Sequence, residues 1–66
     1  MSAWVACDED GDELITTQKP LKTGYVWVSD KDIVYLPKGS IEKLIGRPLT
    51  WNDKAVELKE NNNQNE

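Results

Sequence analysis

The chain has 66 residues and a formal net charge of −4, with one cysteine and no histidine. A chain of this length forms one domain with a small core. One cysteine cannot close an intramolecular disulfide, and the absence of histidine leaves no Cys/His cluster of the zinc-binding kind. An acidic chain without a basic stripe is also a poor candidate for ordinary nucleic-acid binding.

The first predicted element is an antiparallel hairpin formed by residues 3–7 and 13–17, which are short apolar runs typical of strands. Asp10-Gly11 between them is a strong turn signal. Cys7 lies in the first apolar run, which favours a buried and unreactive thiol. The connecting segment concentrates five negative charges in six positions: Asp8, Glu9, Asp10, Asp12 and Glu13.

A second hairpin is predicted from residues 25–28 and 33–36. Residues 25–28 are all β-branched or aromatic, and the apolar run 33–36 follows a polar turn. Residues 18–24 contain Pro20, which cannot serve within a central strand, so this segment is predicted to be a loop. Both faces of the second hairpin are apolar, which indicates either a central pair of strands covered on both sides or a pair with one face left as an exposed aromatic patch.

One short helix is predicted at residues 40–46. Ser40 is a suitable N-cap, and Gly46 followed by Pro48 is a stop signal. Ile41, Leu44 and Ile45 fall on one face at helical spacing, so this face is expected to pack on the sheet. The basic side of the helix is a weaker candidate for anion binding.

These elements, with a last strand at 55–58, predict an α+β domain in the order β-β-β-β-α-β. We expect a small, curved antiparallel sheet, for which an SH3-like barrel is one candidate arrangement. The domain is predicted to span residues 1–58. Residues 59–66 have no apolar side chain and are expected to form a disordered polar tail. Without a signal-like segment or a long apolar run, we expect a soluble, cytoplasmic protein with no membrane partner.

Several segments together resemble a set of small proteins encoded by phages and integrated elements of gut bacteria. The segments are Trp4-Val5-Ala6, Asp8-Glu9-Asp10-Gly11, the Lys19-Pro20 step, Trp27, residues 36–51 (LPKGSIEKLIGRPLTW) and Val56-Glu57-Leu58. The resemblance covers residues 4–58. It implies a mobile-element origin and no known activity, so it assigns no functional residues.

No catalytic residue, cofactor or metal is predicted. Without histidine, no serine or cysteine has an evident partner for activation as a nucleophile. The acidic loop invites a calcium interpretation, but counted from Asp8 its glycine is fourth and the twelfth residue is Lys19, so the EF-hand pattern is not met. A solvated hairpin turn is the preferred interpretation of this loop.

The leading functional hypothesis is therefore a small module that binds a protein partner. Exposed aromatic rings or an acidic loop would supply the contact. The candidate protein-binding residues are Tyr25, Trp27, Tyr35, Asp8, Glu9, Asp10 and Asp12.

Two alternatives stay open. The first is a nucleic-acid-related protein, either an acidic mimic of DNA or a single-strand binder. In the binder, the aromatic rings would stack on bases beside Lys19, Lys22 and Lys31. The second is a structural subunit of a homo-oligomer.

Overall fold

The computed structural model of the protein describes residues 3–30 and 32–58, and it confirms the α+β class. The tail predicted at 59–66 lies outside these residues. Within them the elements are β1 (Ala3–Cys7), β2 (Glu13–Thr16), β3 (Leu21–Lys22), β4 (Trp27–Val28), β5 (Ile33–Leu36), α1 (Ser40–Ile45) and β6 (Val56–Leu58).

Four of the strands form an antiparallel sheet in the order β5-β2-β1-β6, and β3 and β4 form a separate two-stranded ribbon. β5 and β6 are therefore the two edges of the main sheet. Over the described residues the sheet is not closed into a barrel, so the SH3-like arrangement is not what the chain adopts.

The first predicted hairpin is confirmed, because β1 pairs with β2 from Trp4↔Thr16 to Cys7↔Glu13. The turn is closed by two backbone hydrogen bonds, from Asp8 N–H to the Asp12 carbonyl (2.8 Å) and from Gly11 N–H to the Asp8 carbonyl (3.0 Å). Gly11 has φ 94°, the left-handed conformation that a three-residue hairpin loop needs at this position. The Asp10-Gly11 signal therefore located the turn correctly.

The predicted pairing of residues 25–28 with 33–36 is wrong. β5 pairs with β2, and β4 pairs with β3 inside the segment that was expected to be a loop. The Thr23 hydroxyl oxygen accepts hydrogen bonds from the N–H groups of Tyr25 (3.3 Å) and Val26 (3.1 Å). Tyr25 and Val26, predicted to begin the strand, therefore belong to a turn. Only Trp27–Val28 remains as strand, and Pro20 lies just before β3, where it interrupts no ladder.

Burial on both faces, one of the two arrangements predicted for the second hairpin, occurs instead around β1 and β2. Because strand side chains alternate, Val5 faces one side of the sheet and Ala6 the other. Val5 belongs to a cluster with Cys7, Ile41 and Leu49, so the helix covers that face. On the opposite face Ala6 and Leu14 pack against Trp27 from the ribbon.

The helix begins differently from the prediction, because Ser40 is its first residue and not its N-cap. Gly39 occupies the cap position with φ 92°, and the Ser40 hydroxyl donates to the Pro37 carbonyl (2.5 Å). Glu13 of β2 supplies the missing acceptors. Its two carboxylate oxygens accept the N–H groups of Gly39 and Ile41, each at 2.8 Å.

The end of the helix agrees with the prediction. Gly46 has φ 85° and donates its N–H to the Glu42 carbonyl (2.9 Å). The packing face is narrower than expected, since Ile41 is buried and Ile45 packs against the core, whereas Leu44 is 52% exposed. The six-residue helix therefore packs mainly through Ile41 and Ile45.

Candidate interaction surface

Trp27, one of the predicted contact residues, is an anchor of the fold and only 6% exposed. Its backbone N–H donates to Oδ1 of Asp8 (2.9 Å), and its indole Nε1–H donates to the carbonyl of Cys7 (3.0 Å). Asp8 is itself buried. These bonds tie the ribbon to the end of β1, so Trp27 and Asp8 serve the fold and are not free to contact a partner.

The two candidate tyrosines are exposed but stand on different elements. Tyr25 is 76% exposed and lies in the turn between β3 and β4, while Tyr35 is 56% exposed and lies on β5. The predicted aromatic hairpin that was to bring them together does not form. Leu21 and Val28 oppose each other on the ribbon and are exposed as well.

The acidic hairpin loop is partly committed to the fold. Asp8 accepts the Trp27 N–H, Oδ1 of Asp10 accepts the Asp12 N–H (3.1 Å), and Glu13 caps the helix. The candidates at the solvent surface are Glu9, Asp10 and Asp12.

A cation is the other ligand that this loop could hold. Asp8, Asp10 and Asp12 each offer one carboxylate oxygen, and these oxygens lie within 4.8 Å of one another. One oxygen of Asp8 and one of Asp10 already accept backbone N–H groups. Because exposed acidic clusters are common without an ion, this arrangement carries no metal assignment.

Two of the candidate nucleic-acid lysines lie against tryptophan rings. Lys19 Nζ is 5.8 Å from the centroid of Trp4, and Lys22 Nζ is 4.2 Å from that of Trp51 and 5.6 Å from that of Trp27. Lys22 also donates to the Trp51 carbonyl. The third candidate, Lys31, lies outside the described residues.

The Cys7 thiol and the Asp53 carboxyl have shifted pKa values. Burial, reinforced by Glu13 and Asp8, raises the pKa of Cys7 above its ordinary value of 9.0, which disfavours the reactive thiolate. The backbone hydrogen bond from Thr50 (2.8 Å) lowers the pKa of Asp53, with a further bond from the Thr50 hydroxyl. Both groups act in the fold, because Cys7 is core and Asp53 closes a turn.

The backbone groups at the free edge of the main sheet can be assigned from the first hairpin. Asp8 N–H donates to the Asp12 carbonyl, so these two residues form a hydrogen-bonded pair. Bonded and non-bonded pairs alternate along an antiparallel ladder. Glu13 and Ile15 therefore direct their N–H and C=O groups away from β1 and towards β5.

On β5, the residues opposite Glu13 and Ile15 are Leu36 and Val34, which are therefore bonded to β2. Ile33 and Tyr35 point their N–H and C=O groups outward. No strand within the described residues pairs with β5 on that side. The side chains of Val34 (54% exposed) and Tyr35 project from opposite faces of this open edge.

The sequence did not reveal this edge. The apolar run 33–36 correctly predicts a strand, but the predicted partner of that strand is wrong. The signal that could have helped is Pro37 directly after the run, since proline is tolerated beside edge strands.

The chain matches no protein-family model, and comparisons with curated proteins and with solved structures likewise find no similar protein. Among the described residues, no helix has the length and apolar character needed to cross a bilayer.

Proposed function

We propose that this protein is a small interaction module without catalytic activity, which binds an extended segment of a partner protein along the outer edge of β5. The observation that carries the proposal is the pair of outward N–H and C=O groups on Ile33 and Tyr35, flanking the exposed side chain of Val34. An extended peptide can add a strand to such an edge through main-chain hydrogen bonds, while side-chain contacts provide selectivity.

The composition of the edge supports this proposal. Natural proteins commonly protect edge strands with charged side chains, proline or bulges. The residues of β5 are Ile-Val-Tyr-Leu, with none of these features inside the strand. The opposite edge, β6, carries Glu57 between two apolar residues that pack on the core. Of the two edges, β5 is the one whose strand residues include no charged side chain.

The proposal is tested by affinity capture from lysate of the cells that encode the protein, with and without nuclease treatment. Three baits are compared: wild type, Val34→Lys and Leu44→Lys. Val34 and Leu44 have nearly equal exposure, and both substitutions add the same charge, but only Val34 lies on the edge.

We expect a partner protein that binds wild type and Leu44→Lys and is lost with Val34→Lys. Capture that is equal for all three baits would contradict binding at β5. Capture that disappears after nuclease treatment would favour the nucleic-acid alternative instead.

A further inference from the structure

Acidic side chains stand at both ends of the open edge. β2 pairs with β5 so that Glu13 opposes Leu36, which places the hairpin loop with exposed Glu9, Asp10 and Asp12 at the Leu36 end. Exposed Asp30 and Asp32 precede the strand at its other end.

Fewer positive than negative side chains are found near the two ends of β5. The Nζ atom of Lys38 lies next to Gly11, at 3.2 Å from the position that a Cβ on this glycine would take. Its positive charge therefore offsets part of the negative charge of the loop. Lys31 adds one positive charge to the sequence between the two aspartates. In the sequence, two acids and one base precede β5, the loop at the other end has three exposed acids beside Lys38, and β5 itself is uncharged.

We infer that the segment bound at β5 belongs to another protein and has basic residues flanking a short run of apolar, strand-forming residues. This inference rests on the proposed binding at the β5 edge and adds the chemistry of the partner. Apolar residues would cover Val34 and Tyr35, and lysine or arginine on each side would meet the acidic ends. Because both ends are acidic, this pattern suits a partner strand in either direction.

A second copy of the chain fits this edge poorly. In antiparallel self-pairing about Val34, the two aspartates of one copy would approach the acidic loop end of the other. With a net charge of −4 on each copy, association would also oppose long-range repulsion. The charges therefore favour a basic partner over a homodimer.

The test is selection of a displayed library of random peptides of about ten residues, the length of a long strand, against the wild-type protein. We expect enriched peptides with lysine or arginine on both sides of β-branched or aromatic residues. A representative synthetic peptide is then titrated against wild type and variants. Asp12→Asn and Asp30→Asn should each weaken binding about 2- to 5-fold, as expected for exposed ion pairs.

Glu57→Gln on the opposite edge serves as the matched control and should leave the affinity unchanged. Higher salt should weaken binding to wild type. Peptides enriched without basic flanks, or no enrichment at all, would overturn the inference about the partner. Sedimentation showing a dimer that Val34→Lys disrupts would also overturn it, because the occupant would then be a second copy.

These outcomes separate the two proposals. If selected peptides lack basic flanks but still lose binding in Val34→Lys, binding at the β5 edge stands and the charge argument fails. If the affinity is the same in Val34→Lys and Leu44→Lys, the edge itself is not the site, and the proposed function fails.

Discussion

Leu14 and Tyr35 oppose each other across β2 and β5, yet Leu14 is fully buried while Tyr35 is 56% exposed. Both side chains project from the same face of the sheet. Trp27 packs against Leu14 in the buried cluster, and Tyr35, at the edge of the sheet, is not part of this cluster. This difference across one strand pair marks where the core ends and the proposed interaction surface begins.

The bond between Asp8 and Trp27 should be a main support of the fold. In Asp8→Ala the buried N–H of Trp27 loses its acceptor, which is expected to lower the free energy of unfolding by about 1–3 kcal/mol. Asp8→Asn retains a carbonyl oxygen and should be less destabilising. Urea denaturation followed by tryptophan fluorescence measures both effects, and equal stability of wild type and Asp8→Ala would contradict this role.

Glu13 should stabilise the helix although it lies on a strand. Removing its carboxylate in Glu13→Ala leaves the N–H groups of Gly39 and Ile41 without that acceptor, and loss of a helix cap lowers stability by about 0.5–2 kcal/mol. Glu13→Gln keeps one acceptor oxygen, so its stability should lie between those of wild type and Glu13→Ala. The exposed Glu9→Gln is the control in urea denaturation. A Glu13→Ala variant no less stable than Glu9→Gln would argue against the cap.

Truncation of the exposed Tyr25 should barely change the stability of the protein, whereas truncation of the buried Trp27 should lower it strongly. Tyr25→Ala should change the free energy of unfolding by less than about 0.5 kcal/mol, as for other surface substitutions. Trp27→Ala removes a buried indole and should lower it by about 3–5 kcal/mol, a large share of the stability of a small domain. Circular dichroism during thermal melting distinguishes the two, and similar melting of both variants would be inconsistent with this packing.

The Cys7 thiol should be unreactive in the folded protein near neutral pH. Burial raises the pKa of Cys7 in the folded protein above its ordinary value of 9.0. The contribution of the protonated thiol to the free energy of unfolding is therefore complete below pH 9.0 and is lost as the pH rises through the folded-state pKa. We expect slow labelling by a thiol reagent at about pH 7 and fast labelling after denaturation. Equal rates in the two states would show that the thiol is accessible.

The cysteine should also contribute to the pH dependence of stability. Between about pH 7 and about pH 10, a range that spans the ordinary cysteine pKa, the free energy of unfolding should fall more steeply in wild type than in Cys7→Ala. Urea denaturation across this range gives both slopes. Identical slopes would mean that the pKa of Cys7 is the same in the folded and unfolded states.

Features determined by neighbouring residues could be predicted from the sequence. Asp10-Gly11 forms the hairpin turn because glycine readily adopts positive φ, and Gly46 ends the helix for the same reason. The burial of Cys7 followed from its apolar neighbours. Each of these features depends on a few neighbouring residues, so the local sequence is enough to predict it.

Features determined by distant residues could not be predicted. The Glu13 cap joins residues 26 and 28 positions apart, and Lys22 meets Trp51 across 29 positions. The partner of β5 was misassigned because β4 was the nearer strand in sequence. The open edge, which is the proposed site, depends on that pairing and could be identified only from the fold.

The most direct test of the β5 edge is amide hydrogen exchange measured by NMR, without and with a saturating selected peptide or captured partner. In the free protein, the outward amides of Ile33 and Tyr35 should exchange faster than those of Val34 and Leu36, which are bonded to β2. Binding at the edge should slow exchange at Ile33 and Tyr35. Protection at the ribbon instead, with Ile33 and Tyr35 unchanged, would contradict the proposed site.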